Sequence, residues 1–424
     1  MFGLSLPTLP TLPTLPTLPF LSGRTAAAET EPLVLDHDSV EEIGRELDAL
    51  REQTLASLGD EDREYLYRII KAQRGFEIAG RGLLFVGFLP PAWVAGVAAL
   101  SVSKILDNME IGHNVMHGQY DWMREPSLNS RVFEWDTVCP SDQWRHSHNY
   151  LHHTYTNILG QDRDIGYGIL RMDPAQKWHL YYLGNPVYAT VLMFMFEWGV
   201  MMHDAEVDRI VAGTRSWRHV IPIAKGWWRK ARRQVIKDYV AFPLLSGPMF
   251  VPTLLGNVTA NVVRNVWAYS IIFCGHFPSG VQSFTEEETA DETRGEWYVR
   301  QMLGSANITG SPLFHIMSGN LSHQIEHHLF PDLPAHRYPE LAPKVRELCE
   351  KHGLPYNTGG FTAQVTSVWK KIFKFALPPG WLAPEPESQV IIQRHRSTDR
   401  RLDDAGTLAD DTIEGVEHGG KIRA

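Results

Sequence analysis

Cysteine is scarce in this 424-residue chain: only Cys139, Cys274 and Cys349 occur, far apart and without a CxxC pair. That scarcity excludes a disulfide framework, a zinc ribbon and a cysteine-ligated iron–sulfur cluster. The chain also lacks a GxGxxG motif after a strand and the His-Pro-Gly-Gly signature of a cytochrome b5 haem domain. A formal net charge of −9 gives no general signal for nucleic-acid binding. We therefore expect a protein of a reducing, cytoplasm-facing environment, with no nucleic-acid partner and no electron carrier of these kinds.

The two ends of the chain lack the patterns of a packed domain. Leu-Pro-Thr repeats from about Leu6 to Pro19 favour polyproline II, and they have neither the basic start nor the apolar core of a secretory signal. From Pro384 onward the chain is polar, charged and nearly free of aromatic residues. We predict a disordered leader at 1–38, one domain at 39–380 and a polar flexible tail at 381–424.

Histidine, in contrast, is abundant: of 19 histidines, nine fall in three short stretches, His113–His117, His146–His153 and His323–His328. His113 and His117 have the i, i+4 spacing that places two imidazoles on one face of a helix. The other two stretches each contain an adjacent His-His pair, whose side chains diverge by about 100° on a helix. One imidazole of each pair can therefore serve each of two metals. Neutral imidazole suits iron, copper, zinc or nickel, so the ligand type leaves the metal open.

Long charge-free runs are few. The run from Gly82 to Ser103 is long enough to cross a hydrocarbon core of about 30 Å at about 1.5 Å per residue. Pro90-Pro91 in its middle leaves open a second interpretation, in which two shorter spans at 76–89 and 92–111 are hinged at the prolines. Three further apolar blocks lie at 186–202, 240–255 and 258–277.

The histidine stretches restrict how these blocks can be arranged. If they build one site they lie on one face of the membrane, so an even number of spans separates the second stretch from the third. The first of the three later blocks precedes a basic loop at 215–233, and short basic loops stay cytoplasmic. We therefore expect that block at the membrane interface or on the cap, and the other two blocks as a hairpin turning near Gly256-Asn257.

These inferences predict a fold class, an all-α membrane protein. It would have two transmembrane helical hairpins, about four spans, and a cytoplasmic helical cap that holds the metal site. The expected location is the cell membrane, multi-pass, with the active site on the cytoplasmic face. The alternative is that the apolar blocks are buried core helices of a soluble protein.

Four segments resemble the membrane fatty-acid desaturase family, whose pattern is HxxxH, then HxxxHH, then a third box ending in His-His. They are Asp107–Gly118, His153–Asp162, Phe273–Pro278 and Gly319–Pro331. The resemblance covers roughly residues 40–380, and three boxes in order are highly specific. Within the family, the chain resembles the actinobacterial acyl-CoA Δ9-desaturases.

The resemblance implies a centre of two iron ions, Fe2+, held by imidazoles. Carried over residue by residue, the expected ligands are His113, His117, His148, His152, His153, His276, His327 and His328. Gln324 stands where the acyl-CoA desaturases of animals have histidine, as in front-end desaturases, and its amide either coordinates weakly or hydrogen-bonds a ligand.

Four neighbouring residues are candidates for a supporting role around the ligands. His146 and His323 lie beside the boxes but off their pattern, which indicates second-layer or surface positions. Glu110 and Glu326 either orient ligand imidazoles through the second ring nitrogen or are solvated cap residues.

The activity implied by the resemblance is oxygen-dependent desaturation of a long-chain acyl-CoA, stearoyl-CoA to oleoyl-CoA. No side chain is basic enough to deprotonate an unactivated methylene, so an oxidising metal with O2 is needed. Electrons would come from a separate NADPH-dependent reductase carrying flavin and an iron–sulfur centre, and membrane lipids would surround the protein. The same scaffold also suits a front-end (Δ5 or Δ6) desaturase or a fatty-acyl hydroxylase. A metal-binding membrane transporter is a remoter alternative, because transporters usually bind near the bilayer midplane.

Overall fold

The computed structural model describes residues 33–211, 213–381 and 390–392. Most of the predicted leader and of the predicted tail therefore lies outside the described residues. Two short stretches inside those segments form strands, β1 (Leu33–Leu35) and β4 (Val390–Ile392), which pair in parallel. The second sheet is also a parallel pair, β2 (Asn307–Thr309) with β3 (Thr358–Gly360).

Helices make up the rest of the regular structure. Those of the first half are α1 (His37–Ala56), α2 (Asp60–Leu84), α3 (Pro90–Ile105), α4 (Asn114–Met116), α5 (Ser141–Trp144), α6 (His153–Tyr155), α7 (Asn185–Phe194), α8 (Phe196–His203) and α9 (Val207–Val211). Those of the second half are α10 (Val220–Val235), α11 (Phe242–Leu245), α12 (Phe250–His276), α13 (Arg294–Leu303), α14 (Pro312–Met317), α15 (Gln324–Leu329), α16 (Tyr338–Lys351) and α17 (Phe361–Ala376). Three π-helical segments, Leu106–His113, Arg145–His152 and Ile236–Ala241, continue directly from α3, α5 and α10.

Helix α1 is capped at its N-terminus and packs through one apolar face. Its N-cap Asp36 accepts a hydrogen bond from the backbone N–H of Ser39, which satisfies one free donor of the first turn. Val40, Ile43 and Leu47 recur at helical spacing and are fully buried. They pack in one core with residues of α13, α15 and α16. That core positions the third histidine box, because α15 carries it.

The long apolar run at 82–103 forms a helix, a turn and a second helix. Helix α2 ends at Leu84, and α3 begins at Pro90, because proline fits the first turn of a helix and disfavours helical backbone before it. The two helices touch backbone to backbone, since a Cβ on Gly80 would lie 2.8 Å from the backbone nitrogen of Leu100. The run is therefore no single span. It breaks at the prolines, as the second interpretation expected, but neither of the two helices qualifies as a membrane span.

The predicted hairpin of 240–255 and 258–277 is wrong. Its proposed turn at Gly256-Asn257 lies inside the continuous 27-residue helix α12. Gly256 faces the side chain of Leu84, and the buried Asn257 side chain accepts from Arg81 (2.8 Å) and donates to the backbone of Asp238 (2.6 Å). These two turn-forming residue types therefore serve close packing and polar contact between helices.

The predicted fold class is wrong as well. None of the helices in the described ranges combines the length and the apolarity needed to cross a bilayer. Helix α3 has only 16 residues, whereas about 20 mostly apolar residues are needed. The block at 186–202 is divided at Met195 into α7 and α8, and α12, although long, carries the buried charge of Arg264. The observed fold is a set of packed helices with two short parallel strand pairs, and the described residues form no transmembrane hairpin.

Candidate metal centre

The eight predicted ligands come from four places in the chain and meet at one site. The first box runs from the π-helix Leu106–His113 into α4, and the second from the π-helix Arg145–His152 into α6. The third box lies on α15, and His276 is the last residue of α12. π-Helical turns are rare and occur often at functional sites, and here two of them carry candidate ligands.

The ring nitrogens form overlapping groups whose ligand atoms lie within 4.8 Å of one another. The three groups made only of histidine are His113, His117, His148 and His327; His152, His276 and His328; and His153, His327 and His328. The two fully buried neighbours His327 and His328 link them. The structure thus brings all eight predicted ligands together, in an arrangement with room for two ions.

Unpaired ring nitrogens indicate that the cluster fits a metal. A buried polar atom without a partner costs free energy, so native structures contain few of them. Within the described part of the chain, buried Nε2 atoms without a hydrogen-bond partner occur at His117, His148, His152, His153, His327 and His328. A bound metal ion would accept the lone pairs of these nitrogens and so give them a partner. A donor set made of imidazoles suits iron.

Burial keeps most of these imidazoles neutral, which is the ligating form. It lowers the pKa of His113 to about 3, with the charge of His148 acting in the same direction. It also holds the pKa of His117, His153 and His327 well below the usual range. His152 is different: burial lowers its pKa, but the carboxylates of Asp162 and Asp164 more than compensate and raise it to about 9.

Those two carboxylates form a second layer behind the second box. Asp162 lies 3.0 Å from Nδ1 of His152, and Asp164 lies 3.3 Å from Nδ1 of His148. A carboxylate that accepts the Nδ1 proton fixes the tautomer and leaves Nε2 for a metal. Neither aspartate was predicted as a site residue. Asp162 belongs to one of the segments that carry the resemblance. Its position ten residues after His152 does not reveal that the chain folds back and brings the two side chains together.

Neutral groups contact three of the other ligands, His328, His113 and His276. Nδ1 of His328 lies 2.9 Å from Oε1 of Gln301, and Nδ1 of His113 lies 3.0 Å from Oδ1 of Asn114. Gln324, the residue that breaks the third-box pattern, has its side-chain nitrogen 3.0 Å from Nε2 of the predicted ligand His276. Gln324 therefore contacts the candidate centre directly.

The predicted supporting carboxylates have other partners. Glu110 accepts hydrogen bonds from Tyr65 Oη (2.7 Å) and Asn320 Nδ2 (3.1 Å). Glu326 accepts from the hydroxyl of Tyr356 and the amide of Asn307, both at 2.8 Å. Burial raises the pKa of Glu110 to about 8 and that of Glu326 to about 7, against the effect of these donors. Among the hydrogen bonds of the described residues, neither carboxylate reaches a predicted ligand.

The two off-pattern histidines lie outside the cluster. His146 is exposed and its ring stacks on Tyr150 at 6.0 Å between centroids. His323 is half-buried and packs against His315 at 4.6 Å between ring centroids.

A cavity opens beside the imidazoles. His113, His148, His276 and Gln324 form one part of its wall. Most of the remaining wall is apolar, with Met109, Trp135, Phe196, Val200, Ile272 and Leu321. An apolar wall of this kind suits an apolar ligand and keeps water from the imidazoles.

A buried imidazole cluster that faces an apolar cavity defines a candidate metal centre acting on an apolar ligand. The chain belongs to the fatty acid desaturase family, whose family pattern matches residues 90–360. It is 47% identical over 360 residues to the NADPH-dependent stearoyl-CoA 9-desaturase of Mycobacterium tuberculosis, covering 82% of this chain and 84% of that protein. It is 27% identical over 282 residues to the sn-1 linoleoyl-lipid 6-desaturase of Synechocystis, covering 65% and 77%. With human fatty acid desaturase 3 it shares 26% over 310 residues, covering 69% and 63%. The family resemblance is thus confirmed.

Proposed function

We propose that this protein desaturates stearoyl-CoA at Δ9 in an oxygen-dependent reaction. The observation that carries the proposal is the 47% identity, over most of both chains, to a relative named for that activity. In the balanced reaction, the acyl chain loses two hydrogens, O2 takes up these, two electrons and two protons, and two waters leave. The proposed electron source is a separate NADPH-dependent reductase, carrying flavin and an iron–sulfur centre.

The proposed cofactor is a pair of iron ions held by the eight clustered histidines. Bound there, iron would supply the activation of O2 that removal of hydrogens from unactivated methylenes requires. The residues of the chain prepare the site for it. Burial keeps most imidazoles neutral, Asp162 and Asp164 hold the Nδ1 protons of the second box, and the apolar cavity wall excludes water.

The test is reconstitution of the purified protein with iron, a reductase, NADPH, O2 and stearoyl-CoA. The expected product, located by mass spectrometry, is oleoyl-CoA. His327→Ala is expected to abolish the product and to lower the iron content, because the fully buried His327 links two of the nitrogen groups. The matched control is His146→Ala, an exposed histidine that should retain both iron and activity. A product with added oxygen, or zinc without any oxygen-dependent product, would contradict the proposal.

One observation favours a second candidate, a front-end desaturase. Gln324, which that group of desaturases shares, touches the predicted ligand His276. The identity of 27% to a 6-desaturase is much lower than that to the 9-desaturase. A double bond at Δ5 or Δ6 in the same assay would favour this candidate.

We also propose that the protein works at the cell membrane, with the candidate centre facing the cytoplasm. Exposed apolar side chains support contact with lipid, among them Phe88 and Leu89 between α2 and α3, Trp228 on α10 and Leu245 on α11. Cell fractionation followed by immunodetection tests the proposal, which recovery in the membrane-free supernatant would contradict.

A further inference from the structure

A buried ion pair lines the cavity at a distance from the histidines. Nη2 of Arg264 lies 2.6 Å from Oε1 of Glu197, and their side chains are only 1% and 4% exposed. Both residues belong to the cavity wall, which is otherwise mainly apolar. Burying a charge in an apolar wall costs desolvation free energy, and pairing with an opposite charge offsets only part of that cost. The position of these two residues therefore calls for an explanation.

Helix α12 connects the ion pair with the candidate centre. Arg264, Ala268, Ile272 and His276 line it at four-residue spacing, so one face of α12 follows the cavity. From 264 to 276 is twelve residues, which corresponds to about 18 Å along the helix axis. Arg264 stands at one end of this face, and the predicted ligand His276 stands at the other.

Helix α8 also carries one residue of the ion pair and one residue near the candidate centre. Its second residue, Glu197, pairs with Arg264, whereas its last residue, His203, contacts Asp164 at 2.7 Å. Asp164 in turn contacts the predicted ligand His148. Residues of both helices line the cavity, so α8 and α12 each connect the ion pair with the neighbourhood of the histidine cluster.

The ion pair is held in place by groups from neighbouring elements. Nε of Arg264 donates to Oδ1 of Asn265 (3.1 Å), and Nη1 donates to the backbone carbonyl of Asp136 (3.2 Å). Nδ2 of Asn265 donates to the carbonyl of Phe194 in α7 at 2.9 Å. The guanidinium is thus fixed on several sides and cannot turn away without breaking these contacts.

We propose that the Arg264–Glu197 pair closes the acyl cavity and sets the longest chain that the enzyme accepts. The inference rests on the proposed function, since it takes the cavity to hold the acyl chain with its methyl end away from the imidazoles. A longer chain would have to separate or displace the pair, and an apolar methyl offers neither charge any compensation. The pair is therefore a specificity-determining element, although it does not touch the reacting carbons.

The direct test is the double variant Glu197→Ala/Arg264→Leu, which removes both charges together. Both must go, because one variant alone leaves an uncompensated buried charge that can unfold the protein. The measurement is competition between stearoyl-CoA and an acyl-CoA two carbons longer. Because one methylene in an apolar pocket changes kcat/KM by roughly 10- to 200-fold, we expect the ratio of longer to shorter substrate to rise at least about tenfold.

Two further variants make the test specific. Val200→Ala enlarges the side wall and leaves the pair intact, so it should leave the ratio unchanged. Ala268→Leu fills the cavity one helical turn from Arg264 towards His276, so it should shift the preference to an acyl chain two carbons shorter. Ala268→Leu is the deciding variant if the double variant fails to fold. An equal shift in Val200→Ala, or an unchanged ratio in both other variants, overturns the inference.

Equilibrium binding of a series of acyl-CoAs to the metal-free protein gives a readout independent of turnover. The wild type should lose affinity beyond a limiting chain length, and the double variant should extend that limit. A wild type that shows the limit but does not desaturate would contradict only the proposed function. Tighter binding of an ω-hydroxyacyl-CoA than of stearoyl-CoA would identify the pair as a recognition site for a polar group and overturn its role as a stop.

Discussion

Replacing Glu110 by glutamine should change how the stability of the protein depends on pH. The carboxylate of Glu110 is fully buried, and burial raises its pKa from 4.5 to about 8 although Tyr65 and Asn320 donate hydrogen bonds to it. The folded state therefore binds this proton more tightly than the unfolded state. The stability that the proton contributes is fully present below about pH 4.5 and is lost as the pH rises towards 8.

The magnitude follows from the two pKa values. Between about pH 6 and about pH 8, ionisation of Glu110 in the unfolded chain should cost the folded protein roughly 2 kcal/mol. Glu110→Gln removes this dependence, because the amide remains neutral at every pH. The variant should therefore gain about 2 kcal/mol relative to the wild type over that interval.

The assay is urea unfolding at several pH values, with a chelator present so that pH-dependent metal binding does not contribute. Glu326→Gln provides a graded comparison, because burial raises the pKa of Glu326 to about 7 and the expected loss is about 1 kcal/mol. Glu287→Gln is the control, because Glu287 is exposed. It measures how the loss of a carboxylate changes the free energy of unfolding when burial is not involved. A difference between wild type and Glu110→Gln that stays constant from pH 6 to pH 8 would refute the reasoning.

Three further predictions concern the centre and the fold. Asp162→Asn should weaken iron binding by roughly 10- to 100-fold in a chelator competition, because His152 loses the carboxylate that orients it; unchanged affinity would contradict this role. Gly256→Pro should cost about 3 kcal/mol or more in urea unfolding, because Gly256 is inside a helix, whereas a turn would tolerate proline. Gly319→Ala should lower Tm more than Gly213→Ala does. Both glycines have positive φ, but a Cβ at 319 would lie 2.5 Å from a backbone oxygen, whereas Gly213 has no neighbour within 4 Å; equal effects would show that the close contact is unimportant.

The box histidines could be predicted from the sequence because their pattern is local, whereas His276 was predicted only from the family resemblance. His113 and His117 share a helical face at their spacing, and the predicted ligand His276 also joins the cluster, although it lies far from the boxes in the chain. The supporting carboxylates could not be predicted in the same way. Asp162 reaches His152 through a turn of the backbone, whereas Glu110, three residues before His113, binds Tyr65 instead. Sequence proximity is therefore a poor guide to the second layer of a site.

The fold was harder to predict, because a charge-free run has the same composition in a bilayer and in the packed interior of a protein. Pro90-Pro91 correctly indicates a break, but Gly256-Asn257 forms no turn, because Gly256 admits the side chain of Leu84 and Asn257 bonds Arg81. The composition does not show which partner forms a hydrogen bond or an ion pair with each polar residue of an apolar segment. Here Arg264 and Arg81, which would be costly in lipid, are paired with Glu197 and Asp238 from other helices.

The candidate centre is electrostatically uneven, and this follows from the two kinds of support around the imidazoles. The second box is backed by two carboxylates, Asp162 and Asp164, and the first and third boxes are backed by amides such as Asn114 and Gln301. A carboxylate makes an imidazole more basic than an amide does, and Asp162 and Asp164 together raise the pKa of His152 to about 9, whereas burial lowers the pKa of His148 although Asp164 contacts it. The two carboxylate-backed imidazoles fall in different nitrogen groups, His148 with the first box and His152 with His276 and His328, so each proposed ion would meet one of them. This distribution arises from the backbone turn after the second box, which brings both aspartates back onto the imidazoles of that box.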